Sequence, residues 1–118
     1  MTVPAKLKFT IYQGATFPKR LRWVAPGGTP VDLSGYTARM QVRSEVESPT
    51  VLLSMTTENG GITLGGAAGT IDLYVSAEQT AAITWEGGVW DLEIVYPSGE
   101  VTRLAQGSMS VSKEVTRD

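Results

Sequence analysis

The sequence contains no histidine and no cysteine. The first absence removes the commonest general base, the usual catalytic triads and most transition-metal sites. The second removes thiol nucleophiles, disulfides and structural zinc, and with them any inference about redox compartment. No apolar run is long enough to span a bilayer. The N-terminus, Met1-Thr2-Val3-Pro4-Ala5-Lys6, lacks the apolar stretch of a signal peptide, so an unprocessed chain made in the cytoplasm is expected. A basic excess is missing too: ten Lys and Arg face twelve Asp and Glu, a net charge of -2. Phosphate neutralisation dominates nucleic-acid affinity, so no nucleic-acid partner is expected, and no membrane partner either.

What is present fits one folded domain. A chain of 118 residues buries about two-thirds of its unfolded surface, enough for one core without staples. Residues 1–118 are read as a single domain, with flexible ends at about 1–6 and 113–118. The charge is uneven along the chain. Lys6, Lys8, Lys19, Arg20, Arg22, Arg39 and Arg43 make the N-terminal half basic, while the acids come later, an asymmetry expected to balance across neighbouring strands.

Apolar and polar residues alternate with period two, the mark of strands with one buried and one wet face. Leu7, Phe9 and Ile11 share a face, as do Phe17, Leu21 and Trp23; Tyr36, Ala38, Met40 and Val42 form the cleanest example. Val51, Leu53 and Met55, then Ile71, Leu73 and Val75, then Trp90, Leu92, Ile94 and Tyr96 repeat it, and Val101–Leu104 and Ser108–Ser112 close the chain. Turns separate these runs at Ala25–Pro30, at Glu58–Gly61, at Gly65–Gly69 and at Tyr96–Glu100, the last joining a hairpin. Seven or eight short strands so spaced predict an antiparallel β-sandwich. Ser76-Ala77-Glu78-Gln79 interrupts the pattern as a capping box and predicts one short helix over 77–83, with Ala81, Ala82 and Ile83 plugging one end of the core. Ser44–Glu47 is read as a loop or a single turn.

No residue set carries catalysis. Gly60-Gly61 and Gly65-Gly66 lack the Lys-Ser/Thr ending of a phosphate loop and are read as turns. Asp91 and Glu93 lie on one face of a strand about 7 Å apart, a separation a glycosidase tolerates. Their face is the wet one, and Arg39 and Arg43 are their expected ion-pair neighbours, so a solvated charge ladder is expected. Asp72 stands alone on its strand, and no Asp-rich loop suggests calcium. No catalytic residue, cofactor or metal site is therefore assigned. Trp23 and Trp90 are read as core. Trp85, in Thr84-Trp85-Glu86-Gly87-Gly88, either caps the end of the sandwich or anchors a sugar or partner. Tyr12 and Tyr74 lie on the polar sides of their strands and are the other candidates for partner or ligand contact.

Two stretches resemble a known family. Ile11-Tyr12-Gln13-Gly14-Ala15-Thr16-Phe17 resembles the opening of small tailed-phage virion proteins. Val31-Asp32-Leu33-Ser34-Gly35-Tyr36-Thr37, leading into the Arg-bearing strand to Arg43, resembles the N-terminal domain of phage upper baseplate proteins. The likeness runs from about Phe9 to Thr116. It implies an immunoglobulin-like sandwich and a non-enzymatic structural role in a phage or prophage virion, as a tail, baseplate or tail-fibre adaptor. The implied partners are other virion proteins, with self-association inside the particle left open. Upper baseplate proteins carry further helical regions after this domain, whereas this sequence stops at Asp118. The alternatives are a capsid decoration protein of the same fold and a carbohydrate-binding sandwich using Trp85 and nearby tyrosines.

Overall fold

A computed structural model describes residues 4–117. These form eight strands, one short α-helix and one 3-10 turn: β1 (Ala5–Tyr12), β2 (Phe17–Arg22), β3 (Thr37–Arg43), β4 (Leu53–Thr56), β5 (Ile62–Leu64), the 3-10 turn (Gly66–Ala68), β6 (Thr70–Val75), α1 (Ala77–Ala81), β7 (Gly87–Val95) and β8 (Val101–Ser112). Five strands pair in the order β1-β8-β7-β3-β4, and three in the order β2-β6-β5. Sets β2-β6-β5 and β3-β7-β8 occupy the places of strands B-E-D and C-F-G in an immunoglobulin sandwich, and β4 extends the second sheet where a variable-type domain adds C′. The all-β, immunoglobulin-like reading therefore holds.

The alternation predicted for β3 is realised: Ala38, Met40 and Val42 are buried while Thr37, Arg39 and Gln41 are exposed. The inner residues of both sheets meet in one cluster that includes Ile11, Met40, Ile71, Leu73, Leu92, Ile94 and Met109. Within it Phe9 stacks on Trp90, with ring centroids 4.8 Å apart and planes 6° apart. The Trp90 indole N–H donates to the Ser108 carbonyl at 3.0 Å, so its polar edge is not stranded in the core. Trp23 is placed differently from the expectation. It is half-buried and packs edge-on against Tyr96 beyond the far end of β7, beside the main core rather than in it.

Several boundaries differ for physical reasons. The sandwich is not wholly antiparallel: β1 runs parallel to β8, in register from Ala5↔Ala105 to Tyr12↔Ser112. β1 crosses to the opposite sheet at Gln13–Thr16, which leaves it free to lie along the outer edge of β8. The two closing segments are one strand, continuous through Ala105-Gln106-Gly107, with the extra residue Leu104 taken up by a bulge opposite Leu92 and Glu93. Gly107 interrupts the alternation without interrupting the strand, because a Cβ there would overlap the Leu7 carbonyl oxygen. The strand predicted from Val51 begins only at Leu53, with Val51 exposed. Ala5 and Lys6, expected in a flexible end, pair within β1; Met1 to Val3 and Asp118 lie outside the described residues.

The capping box forms as predicted: the Ser76 hydroxyl accepts from the Gln79 amide at 3.1 Å, and the Gln79 carboxamide oxygen accepts from the Ser76 amide at 3.0 Å. The helix is shorter than 77–83, ending at Ala81. A single turn turns only one stripe inward, so Thr80 and Ile83, three apart, are buried while Ala81 and Ala82 stay exposed. Thr80 is fully buried, accepts from the Gly14 amide at 3.0 Å and donates to the Ala15 carbonyl at 2.8 Å. Gln13 completes the tie: its amide nitrogen donates to Ile83 O at 3.0 Å, and its oxygen accepts from Glu114 N at 2.7 Å. The Gln13–Thr16 segment thus binds the helix and the end of β8 to the β1–β2 crossing.

Two outcomes are expected. Gly107→Ala should cost about 1–3 kcal/mol by overpacking and accelerate exchange of the β1 amides. The neighbouring outward-facing Ser108→Ala should stay within about 0.5 kcal/mol in the same urea titration. Thr80→Val, nearly isosteric, leaves Gly14 N–H and Ala15 C=O without partners and should cost about 1–3 kcal/mol by urea unfolding.

Candidate functional site

The chemistry-bearing residues gather on the outer face of the five-stranded sheet. β3 and β7 place Arg39 opposite Glu93 and Gln41 opposite Asp91, and β8 places Arg103 opposite Glu93 and Gln106 opposite Asp91. Arg39 Nε donates to Glu93 Oε1 at 2.7 Å, and Arg103 Nε lies 3.5 Å from Asp91 Oδ2. Each carboxylate of the candidate pair therefore faces a guanidinium. The partner of Asp91 is Arg103, not the expected Arg43. Arg43 lies opposite Val89 and donates to the Ser48 carbonyl at 2.7 Å and the Gln41 side chain at 2.9 Å, which holds the β3–β4 loop.

Between these strands and β1 runs a trough of about 670 Å³. Its shape follows from side-chain length. The strands at its centre present Val89 and Ser108, while Lys6 and Lys8 of β1 and Arg43 of β3 rise on either side. Val46, 77% exposed in the β3–β4 loop, lines it as well. Lys6 and Lys8 make no ion pair among the described residues.

The aromatic candidates do not converge. Tyr12 is exposed on the outer face of the five-stranded sheet, and Tyr74 on the outer face of the three-stranded one. The sandwich thickness separates them. Trp85 is half-buried in the α1–β7 connection, packed against the core, with its carbonyl 3.4 Å from Lys113 Nζ. Tyr74 borders a smaller hollow of about 250 Å³ with Asn59, Gly60, Gly61 and Gln79. Its amide side chains are occupied: Asn59 accepts from Thr56 N and Gly61 N, and Gln79 serves the helix cap. Among the described residues no group of three or more Asp, Glu, His or Cys is placed to hold a metal ion, and no helix is long and apolar enough to cross a membrane.

The motifs that carry the family resemblance build turns. In Asp32-Leu33-Ser34-Gly35-Tyr36, Asp32 Oδ1 accepts from the Ser34 hydroxyl at 2.7 Å and its amide at 3.0 Å, and the turn delivers Leu33 to the core. Those bonds, the hydroxyl first, hold the Asp32 carboxyl below its usual range. Gly60 and Gly66 adopt positive φ, consistent with turns. Asp72, isolated on its own strand, faces Arg20 across β2 and β6 in a two-bonded pair of 2.7 and 2.9 Å. Periodicity along β6 alone does not reveal this partner, because it comes from the neighbouring strand. The Arg20 hydrogen bond holds the Asp72 carboxyl below its usual range, and Asp72 in turn raises Arg20.

No protein-family model matches the chain, and no curated protein matches it. Among solved structures, the extracellular domain of the voltage-gated sodium channel β4 subunit is similar over 98% of this chain and 98% of its own, at 11% identity and a TM-score of 0.45. That structure is described as a parallel homodimer explaining a role in cell–cell adhesion. A likeness at this identity concerns fold alone, and at this score it adds nothing to the strand order described above.

Asp72 sets an acid-side prediction. Its folded-state pKa is lowered, so the stabilisation is fully present above the unfolded value of about 3.9 and is lost as pH falls through the lower folded value. The pair is solvent-screened, with side chains 63% and 36% exposed. Asp72→Asn should cost at most about 1 kcal/mol at neutral pH. That difference, read as a gap in melting temperature, should narrow as pH falls below about 3.9 and close once Asp72 is protonated in the folded protein as well.

Proposed function

We propose that this domain is a non-enzymatic adaptor that works by protein–protein contact, as a tail, baseplate or tail-fibre component of a phage or prophage virion. The observation that carries the contact role is the outer face of the five-stranded sheet. It combines a broad trough with two lysines that make no ion pair among the described residues, while its carboxylates lie against arginines. A carboxylate pair that serves as acid and base needs room for substrate between its members; here each member lies against a guanidinium, Glu93 against Arg39 and Asp91 against Arg103. The virion setting is supported by the resemblance of Ile11–Phe17 and Val31–Arg43 to tailed-phage proteins. Those motifs do local work in this fold: Gln13 and Gly14 anchor the crossing between sheets, and Asp32 and Ser34 shape the turn into β3. Sheets and turns of this kind suit repeated, symmetric contacts in an assembly.

Quantitative mass spectrometry of purified particles produced by the encoding genome tests the reading. A low copy number matching tail symmetry is expected. A number comparable to the major capsid protein would move the domain to the capsid surface as a decoration protein, and absence from particles would overturn the virion role.

A further inference from the structure

The trough has a charge imbalance that the fold does not use. Lys6, Lys8, Arg43 and Arg103 line it against Asp91 and Glu93, four cationic side chains to two carboxylates, in a chain whose net charge is -2. Arg103 and Arg39 attend to those two carboxylates, and Arg43 is bonded to the β3–β4 loop. The excess is carried by Lys6 and Lys8, adjacent outward positions of β1. Alternate residues on one face of a strand are about 7 Å apart, so Lys6 and Lys8 leave β1 at the spacing of alternate side chains in an extended peptide. Val46 and Val89 add apolar surface along the same trough. Glu45 and Glu47 flank Val46 in the loop but do not line it.

β1 is also an open edge. It pairs with β8 on one side and with no strand on the other among the described residues. It is the longest exposed edge of either sheet, running eight residues without proline, whereas the edge strand β2 carries Pro18. Lys19 of β2 reaches over the Phe9 ring at 5.5 Å, so a further cation stands beside the same edge. Lysines on an edge strand oppose pairing with another copy, because like charges would meet, yet they favour a strand whose facing side chains are acidic.

We propose that the trough beside β1 docks an extended acidic segment of a partner protein. Its carboxylates pair with Lys6 and Lys8, and an intervening apolar side chain lies against Val46 and Val89. This rests on the adaptor reading and names the chemistry of the partner that the adaptor holds. The charge pattern selects such a segment over a second copy of this chain, which would bring Lys6 and Lys8 against a like-charged edge.

Fluorescence anisotropy of the full chain with a labelled octapeptide alternating aspartate and valine tests this, with the asparagine–valine octapeptide and a short DNA duplex alongside. The aspartate peptide should bind, weakening about tenfold or more from about 0.05 to about 0.3 M salt, since the Debye length falls about 2.5-fold over that range. The asparagine peptide should bind at least about tenfold more weakly than its charged counterpart. The double variant K6E/K8E should abolish binding, whereas R22E/R117E, with the same charge change away from the trough, should retain it. K6Q/K8Q, which adds no negative charge, should lose most of it, and unchanged melting of each variant shows that the fold persists. No binding of the aspartate peptide, binding that survives K6E/K8E, or tighter binding of DNA at the same lysines would overturn the proposal. Particles separate it from the adaptor reading: wild-type incorporation of K6E/K8E overturns the docking trough alone, while absence of the wild-type chain from particles overturns the virion role alone.

Discussion

The close approach of two backbones at Gly107 is the constraint on which the rest of the structure depends. With no side chain there, the Leu7 carbonyl lies against β8, and β1 can run parallel to it for eight residues. That alignment lays Phe9 on Trp90 and carries Ile11 into the core. It also sets where the chain leaves the sheet. Tyr12 ends opposite Ser112, so Gln13 arrives within reach of Ile83 and Glu114, and Gly14 within reach of Thr80. A side chain at residue 107 would force β1 outward and loosen the ring stack, the crossing and the helix together.

The same pairing creates the outer face. Parallel register puts Lys6 beside Gln106 and Lys8 beside Ser108, next to the short side chains at the middle of the sheet. Long flanking residues and short central ones leave a trough, and the two arginine–carboxylate contacts keep its acidic side occupied. Exposed pairs of this sort add little stability, at most about 1 kcal/mol each. What they do is order the charges: guanidinium groups sit against carboxylates, and the ammonium groups of β1 take no part in these contacts. The core packing and the proposed docking face therefore share one edge of one sheet.

The residues that looked most like a site divide by face rather than by sequence. Tyr12 and Tyr74 both sit at outward positions of strands, and period two cannot tell which sheet a strand will join. They end on opposite sides of the sandwich. Arg43 and Arg103 show the same limit at shorter range. Both are outward and basic, but only the register of β7 with β3 and β8 decides that Asp91 meets Arg103. The turn motifs are different. Asp32 and Ser34 meet two positions apart, and Ser76 and Gln79 three apart, so their bonds are local and readable from spacing.

By itself the sequence determined the all-β class, the alternation of β3 and β7, the capped turn at Ser76, the hairpin at Tyr96–Glu100 and the lack of histidine or cysteine chemistry. These follow from periods of two and from hydrogen bonds spanning a few residues, which any stretch of chain carries within itself. Only tertiary structure decided that β1 runs parallel to β8, that Gly107 lies inside a strand, that Trp23 sits outside the main core, that Arg20 holds Asp72, and that Lys6 and Lys8 border a trough. Each of these joins residues dozens of positions apart. Their meeting is set by strand order and register, which no local pattern encodes.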